Sequence, residues 1–434
     1  MSASHLSGID AADWPGVATV PTGPLMRLRA RQAEAAFAKL CEKAGLSLDP
    51  DNAPDLIVDQ EALFPRLADA GWLGLAESYL AGEWRAGDLT AVLVKLLGAG
   101  YQPGARLGKP RKRTFDRYEG GELPPELVRL NSADGMSMFG GVFAAPATTE
   151  RTAVVSHVKG AGRNREPGSH FVDVTRIADP SIVERDDLAG AQERTVRMLL
   201  DAAGVSPGTH LLEYPDSGGA VAVAAAQRRA TVDTLTADPA HAAAVRERLT
   251  LAGAADFVHT QLLEHAVPGP KECRGRYDAV VSVERLEELS GPDRLRFAAA
   301  LDRLLVPGGL VAMQSVVATE EMTASARELL DLLRAYVWPG LQHPTVTDVH
   351  RLFDRSSGLR VIAQTHVGSH YEKTLELQRQ RFQGQQREAA ADGFDAVFRR
   401  MWLFQYAVRE ALFQLGYLDA VQFTLTTRNR RGQR

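Results

Sequence analysis

The chain has 434 residues, of which 45% are hydrophobic, so it is long enough for two or three domains with sizeable cores. Its formal net charge of −4 argues against bulk nucleic-acid binding, which requires a basic domain. Two cysteines, Cys41 and Cys273, are too few for a disulfide framework. The sequence shows neither a secretory signal nor a run of about 18 apolar residues that could span a membrane. We therefore expect a cytoplasmic protein whose contact with a membrane would be peripheral.

The first 99 residues predict a helical domain. Apolar side chains recur at helical spacing from Leu25 to Ala44, which predicts an amphipathic helix. Residues 62–97 predict two more helical segments on either side of Gly82, which we interpret as a packed helical hairpin. We accordingly place the N-terminal domain at residues 1–99.

Residues 100–180 are predicted to be a connector. Glycine and proline interrupt its first part, which carries a basic cluster of Arg106, Lys109, Arg111, Lys112, Arg113 and Arg117. Two interpretations of this cluster stay open. It binds anionic lipid headgroups, with about 1 kcal/mol for each basic residue near the surface, or it is a solvated linker. Residues 118–170 are rich in glycine, alanine and serine, and we expect a small insertion or a mobile connector there.

From residue 181 onwards, helical and strand patterns alternate. Strands are predicted at His210–Leu212, Ala230–Leu235, Asp256–Leu263, Tyr277–Val283, Leu310–Val317, Leu359–His366 and Val421–Thr427. Helices are predicted at Asp186–Ala203, Pro239–Ala252, Pro292–Leu305, Ala324–Val337, Val346–Phe353, Tyr371–Ala391 and Phe394–Leu415, and one more begins at Ala220. This alternation predicts a parallel sheet with helices on both faces, so we treat residues 181–434 as one α/β domain.

The stretch from His210 to Ala226 has the pattern of a strand, a tight turn and the start of a helix. Such a turn brings backbone N–H groups and a helix N-terminus together, which is where nucleotide-like ligands bind in doubly wound sheets. Glu213, at the end of the strand, would face the ligand. A purely structural turn is the alternative, because Tyr214 and Pro215 stand where the close approach of a ligand favours glycine.

Several segments, in this order, resemble the cyclopropane-fatty-acyl-phospholipid synthase family. They are GLAESYLAGEW, YDAVVSVERLEEL, LDRLLVPGGLVAMQ, GSHYEKTL and FRRMWLFQYAVREALFQLGYLDAVQFTLTTR. This family belongs to the class I S-adenosylmethionine-dependent methyltransferases. The resemblance implies a Rossmann-like, doubly wound α/β sheet, a mainly helical, lipid-facing N-terminal domain and helical insertions near the C-terminus.

The resemblance also implies a reaction. The family transfers the sulfonium methyl group of S-adenosyl-L-methionine to a cis double bond of a phospholipid acyl chain, and a base, bicarbonate in the well-understood members, then removes a proton from the carbocation. The implied partners are unsaturated phospholipid acyl chains and an anionic membrane surface. The chain would pair with itself or with a homologue.

The matching positions give candidate site residues. Those implied to bind the cofactor are Glu213, Gly218, Gly219, Thr236 and Glu264. Glu287 matches the carboxylate that orients bicarbonate, and His370 and Tyr371 match the family's His-Tyr pair, so these three are the catalytic candidates. The candidates for substrate binding are Gln314, Trp402 and Phe413. No metal site is expected.

Other positions depart from the family pattern. These are Pro215 in the cofactor turn, Leu262 in place of the adenine-contacting acid, and Gln405 and Arg409 in place of a tyrosine and a cysteine. The family's active-site cysteine is absent as well. A second hypothesis follows, in which the chain is a catalytically inactive pseudo-methyltransferase that binds lipid beside an active homologue or a reductase. Under it, Glu287, His370 and Tyr371 are structural, while Trp402 and Phe413 are core or acyl-tunnel wall under both hypotheses.

Overall fold

A computed structural model describes residues 4–48, 53–103, 122–145, 149–156, 170–181 and 187–428. The basic cluster from Arg106 to Arg117 lies outside the described residues. Among the described helices, none is both long enough and apolar enough to cross a membrane.

The strands of the described residues are β1 (Leu56–Val58), β2 (Trp84–Ala86), β3 (Thr149–Val155), β4 (Phe171–Ile177), β5 (His210–Glu213), β6 (Thr231–Thr236), β7 (Val258–Leu262), β8 (Tyr277–Val283), β9 (Leu305–Ala318), β10 (Leu359–His366) and β11 (Leu418–Thr427). The helices are α1 (Pro15–Ala18), α2 (Pro24–Lys43), α3 (Leu63–Ala70), α4 (Trp72–Leu80), α5 (Leu89–Gly98), α6 (Pro125–Asn131), α7 (Leu188–Ala202), α8 (Ala220–Gln227), α9 (Pro239–Leu251), α10 (Gly291–Leu304), α11 (Ala324–Leu329), α12 (Asp331–Tyr336), α13 (Val346–Ser356), α14 (Gly368–Gly384), α15 (Gln386–Ala391) and α16 (Ala396–Gln414).

The chain divides into two compact units. The first unit takes its residues from Met1–Arg117, Glu321–Pro339 and Phe382–Tyr417, and the second from Tyr118–Glu320, Gly340–Arg381 and Leu418–Arg434. This division differs from the predicted boundaries at residues 99 and 180. Two late segments, which sequence order assigned to the α/β domain, belong to the helical unit because their apolar side chains are buried there.

The second unit is built on one large sheet. Over the described residues its strand order is β3-β4-β10-β11-β9-β8-β5-β6-β7. The strands β9, β8, β5, β6 and β7 are mutually parallel, as predicted. β11 runs antiparallel between β9 and β10. With helices on both faces, this arrangement confirms the predicted Rossmann-like, doubly wound α/β fold.

Apolar residues on both faces of this sheet form its core. Phe297 on α10 and Phe353 on α13 are fully buried against one face. On the other face, Leu199 of α7 and Val221 of α8 are fully buried. Because β8 lies between these two layers, its residues form the nearly continuous apolar run typical of a buried parallel strand.

The described part of the predicted connector forms α6, β3 and β4 within the second unit, so it contains regular structure that the sequence pattern did not indicate. α6 is helical, and β3 pairs antiparallel with β4 at the sheet edge. In the irregular segment that follows α6, Phe139 is 5% exposed, and the backbone N–H of Gly141 donates to Thr374 Oγ1 at 2.9 Å. Such a segment carries no periodic signal, because its partners lie far away in the sequence.

The first unit is a helical core. Helices α4 and α5 lie on either side of Gly82 as predicted, with the short strand β2 between them, and Gly71, with a left-handed φ of 58°, separates α4 from the preceding helix α3. The predicted helices at 324–337 and 371–391 are each divided in two. On α16, Trp402 is fully buried and stacks on Phe398 with ring centroids 5.8 Å apart.

Candidate functional site

The turn after β5 is organised by Glu213, whose side chain is fully buried. Its Oε1 atom accepts hydrogen bonds from Ser217 N, at 2.9 Å, and from Ser217 Oγ, at 2.5 Å. Its Oε2 atom is buried with no hydrogen-bond partner among the described residues. Burial, and then the neighbouring carboxylate of Asp216, raise the pKa of Glu213 to about 8. A carboxylate in this state would be stabilised by a cation at Oε2.

The rest of the turn is held by Asp216. Its carboxylate accepts hydrogen bonds from Gly219 N, at 2.9 Å, and Thr234 Oγ1, at 2.5 Å, and lies 3.2 Å from His241 Nε2. Gly218 and Gly219 both have left-handed φ angles, of 73° and 78°. A Cβ atom at Gly218 would lie 2.2 Å from the carbonyl oxygen of Met136. The backbone of Met136 therefore occupies the space beside this glycine.

Glu122, which the sequence patterns did not single out, lies at the end of β6. Its carboxylate accepts hydrogen bonds from Thr236 Oγ1, from Ala237 N at 2.8 Å and from Asp238 N at 3.0 Å. In nucleotide-binding α/β folds, an acid at the end of the second strand hydrogen-bonds the ribose hydroxyls. Here that position is occupied by a side chain that comes from more than 100 residues earlier in the chain.

The predicted adenine contact, Glu264, follows β7. Its side chain is exposed, and its backbone N–H donates to Glu272 Oε1 at 2.9 Å. Leu262, at the family's acid position, is 46% exposed. A cofactor contact by Glu264 therefore stays a prediction.

Glu284, at the end of β8, is the centre of a second polar group. Its Oε1 atom accepts hydrogen bonds from Gly140 N at 2.7 Å and from Gln314 Nε2 at 2.9 Å, and its Oε2 atom accepts one from Tyr371 Oη at 2.8 Å. Glu284 is a non-glycine residue with a left-handed φ of 52°. Gln422 Nε2 donates to Gln314 Oε1 at 3.0 Å and fixes that amide. Tyr371 and Gln314, both predicted site residues, are thus brought together by an acid that was not predicted.

Glu287 lies next to this group and is 4% exposed. Its carboxylate accepts hydrogen bonds from Ser315 Oγ at 2.8 Å and Val316 N at 2.9 Å. Burial, and then the charge of Glu284, raise the pKa of Glu287 to about 7. Two neighbouring carboxylates with one raised pKa are typical of functional sites, although structural networks also produce them.

His370 is fully buried, and both of its ring nitrogens are occupied by backbone groups. Its Nδ1 atom accepts a hydrogen bond from Phe143 N at 3.0 Å, and its Nε2 atom donates to the carbonyl oxygen of Ala178 at 2.9 Å. Burial lowers the pKa of His370 below its ordinary value, so the ring is neutral. These contacts give His370 a structural function, and its predicted catalytic role stays untested.

Trp402 and Phe413 belong to the first unit. Both are buried on α16, where Trp402 contacts the rings of Phe398, Tyr406 and Trp338. These positions agree with a core or tunnel-wall role. Their predicted contact with a substrate stays a prediction.

We expect the free energy of unfolding to fall by about 2 kcal/mol or more between pH 5.5 and pH 8. The buried carboxyl groups of Glu213 and Glu287 have pKa values raised to about 8 and about 7. The folded protein therefore binds more protons than the unfolded chain in this window, and the stability present at low pH is lost as the pH rises. Urea unfolding at the two pH values measures the effect.

The variant Glu213→Gln should reduce this pH dependence, because it removes the ionisation. Glu247→Gln, at an exposed position of α9, is the matched control and should retain it. Equal stability of the unsubstituted protein at both pH values would contradict the assignment of these two raised pKa values.

Comparison with known proteins gives matches at the family, sequence and fold levels. A protein-family model described as mycolic acid cyclopropane synthetase matches residues 180–423. The tuberculostearic acid methyltransferase UfaA1 of Mycobacterium tuberculosis is 32% identical over an alignment that covers 96% of each chain. The cyclopropane-fatty-acyl-phospholipid synthase of Escherichia coli is 21% identical, and the alignment covers 84% of this chain and 86% of that one.

A solved structure supports the fold independently. The cyclopropane synthase MmaA2 from Mycobacterium tuberculosis matches with a TM-score of 0.50 and 24% identity, over 56% of this chain and 87% of that one. At this identity the likeness shows a shared fold.

Proposed function

Because the chain belongs to the mycolic acid cyclopropane synthetase family, we propose that it transfers the methyl group of S-adenosyl-L-methionine to the double bond of an unsaturated phospholipid acyl chain. Membership of this family confirms the resemblance found in the sequence. The observation that carries the proposal is the buried Glu213, with an unpartnered oxygen at the carboxyl edge of the sheet, where doubly wound folds bind nucleotide-like ligands.

The residues at this edge fit the cofactor. S-adenosyl-L-methionine carries an ammonium and a sulfonium group, and a buried carboxylate with an unused oxygen provides the opposite charge. Glu122, whose carboxylate is held by Thr236 Oγ1, would accept hydrogen bonds from ribose hydroxyls at the end of β6. When bound, the cofactor supplies an electrophilic methyl group. The protein contributes by orienting it.

The substrate and the assembly remain parts of the same proposal. The relative UfaA1 is named as a tuberculostearic acid methyltransferase. That name supports an acyl chain as the methyl acceptor. We propose that the acyl chain is presented by an anionic membrane surface to which the protein binds peripherally. We also propose that the chain pairs with itself or with a homologue.

Replacing Glu122 by glutamine should weaken the affinity for S-adenosylhomocysteine about tenfold. The amide cannot offer the charged acceptor, and a hydrogen bond to a charged group contributes about 1.5–3 kcal/mol. Titration calorimetry measures the change, with Glu126→Gln, an exposed acid on α6, as the control. A tighter affinity in the Glu122 variant would show instead that this side chain competes with the cofactor.

The proposal is tested in two steps. Calorimetric titration of the delipidated protein with S-adenosylhomocysteine should show micromolar affinity, roughly −8 kcal/mol. Incubation with S-adenosyl-L-methionine and vesicles of dioleoyl phospholipids should then yield acyl chains that have gained one carbon, detected by mass spectrometry. Cofactor binding without any product, under conditions in which an active homologue works, would contradict the proposed reaction.

The alternative of a catalytically inactive lipid-binding module is not supported by the comparisons. The relatives found bear the names of enzymes, and 32% identity extends over nearly the whole chain. The same two-step experiment separates the alternatives, because an inactive module gives no product in the second step.

A further inference from the structure

The donors at the end of β8 do not fit a bound bicarbonate, which the resemblance implied as the base. Tyr371 Oη donates to Glu284, His370 Nε2 donates to Ala178 O, and Gln314 Nε2 donates to Gly140 O and Glu284. The charge of Glu284, which raises the pKa of the neighbouring Glu287, would in addition repel an anion. Among the described residues, the donors at these candidate positions are therefore already engaged with the protein itself.

We propose that the base in this chain is Tyr371 itself, with Glu284 as the residue that activates it. The inference rests on the proposed function, because it concerns the proton-removal step of the same reaction. Tyr371 Oη lies 2.8 Å from Glu284 Oε2, which is within the range for proton transfer along a hydrogen bond. The phenol accepts the substrate proton as its own proton moves to the carboxylate.

The backbone conformation of Glu284 and its hydrogen-bond partners orient its carboxylate towards Tyr371. Its left-handed φ of 52° is a strained conformation for a side chain with a Cβ, and such strain costs about 1–3 kcal/mol and clusters at functional sites. Gly140 N and Gln314 Nε2 both donate to Oε1, so Oε2 is oriented towards Tyr371. Glu284 is partly exposed, which gives the proton a route to solvent.

The ring of Tyr371 is positioned by Gly140. A Cβ atom at residue 140 would lie 2.2 Å from Tyr371 Cδ2 and 2.4 Å from Cε2, so glycine is required for the backbone to pass beside the ring. The same glycine donates its N–H to Glu284. Segment 139–143 therefore fixes the acid and the phenol together.

Methyl transfer leaves a methyl-branched carbocation on the acyl chain. A C–H bond next to the cationic carbon breaks, its electron pair forms the new carbon–carbon bond of an alkene or a ring, and its proton goes to Tyr371 Oη. The former phenol proton moves to Glu284 Oε2, and the neutral acid then loses it to solvent. No further reactant is needed.

The experiment compares the full-length protein with Glu284→Gln, Glu284→Asp and Tyr371→Phe in buffer depleted of bicarbonate. Glu284→Gln should lower kcat about 100-fold, since a general base contributes at least that factor. KM values and the calorimetric affinity for S-adenosylhomocysteine should change less than about threefold. Glu284→Asp should restore part of kcat, and Tyr371→Phe should resemble Glu284→Gln.

A second readout is the identity of the product. A carbocation that is not deprotonated is captured by water, so the share of methyl-branched alcohol among the products should rise in Glu284→Gln and Tyr371→Phe. Glu288→Gln, which changes a nearby carboxylate that pairs with Arg285, is the matched control and should leave kcat and the products unchanged. Dependence of the unsubstituted protein on added bicarbonate, or full kcat in Glu284→Gln, would overturn this inference alone. A protein that binds the cofactor and forms no product would overturn the proposed function as well.

Discussion

Replacing Glu213 by glutamine is expected to weaken S-adenosylhomocysteine binding about 30-fold or more, the largest effect on the cofactor that the structure supports. The carboxylate is fully buried at the end of β5, and its Oε2 atom lacks a hydrogen-bond partner in the described part of the chain. Loss of one member of a buried charge pair costs about 2–5 kcal/mol, which corresponds to this factor or more. Titration calorimetry at pH 7.5 measures it.

The glutamine variant keeps the shape of the side chain and an acceptor for Ser217, so its fold should be retained. Circular dichroism and urea unfolding check this point. Glu247→Gln makes the same chemical change at an exposed position of the same unit, and its affinity should stay within about twofold of the unsubstituted protein. Unchanged affinity in Glu213→Gln would place the cofactor away from the end of β5.

Substitution of Gly218 by alanine should lower the free energy of unfolding by about 3 kcal/mol or more. The left-handed φ of 73° is unfavourable for alanine. In addition, the new Cβ atom would lie 2.2 Å from the carbonyl oxygen of Met136, which is a backbone atom that cannot rotate away. Urea unfolding, monitored by far-ultraviolet circular dichroism, measures the loss of stability.

Gly219→Ala provides the comparison for this prediction. Gly219 has a similar φ of 78°, but its added Cβ atom would meet only the side chain of Arg248, at 3.4 Å. It should therefore cost about 1 kcal/mol, the conformational part alone. If the two variants lost equal stability, the contact between Gly218 and Met136 would not contribute as described.

The sequence by itself determined the elements whose pattern is local. β8 and β10 were predicted with the bounds that the structure shows. A buried apolar run and a regular alternation of apolar and polar residues indicate a strand even when the neighbouring strands are unknown. The strand, turn and helix around Glu213 were also correct. The separate motifs, in their order along the chain, identified the family.

The start of strand β9 was not predicted correctly from the sequence. β9 begins at Leu305 and continues through Pro307–Gly309, although the predicted helix ends at Leu305 and the predicted strand begins only at Leu310. Pairing with β8 and β11 holds this segment in a strand conformation. Local propensity was overridden by neighbours that lie far away in the sequence.

Only the tertiary structure decided which residues complete the site. Glu122, Met136 and Gly140 lie in a segment without periodicity, and each acts through a partner about 80 to 230 residues away: Thr236, Gly218 and Tyr371. Glu284 could have been found, because an acid directly after a parallel strand is the same signal that marked Glu213. Its bond to Tyr371, however, depends on how β8 and α14 pack. Local patterns specify elements, whereas the meeting of side chains at one sheet edge is fixed by packing alone.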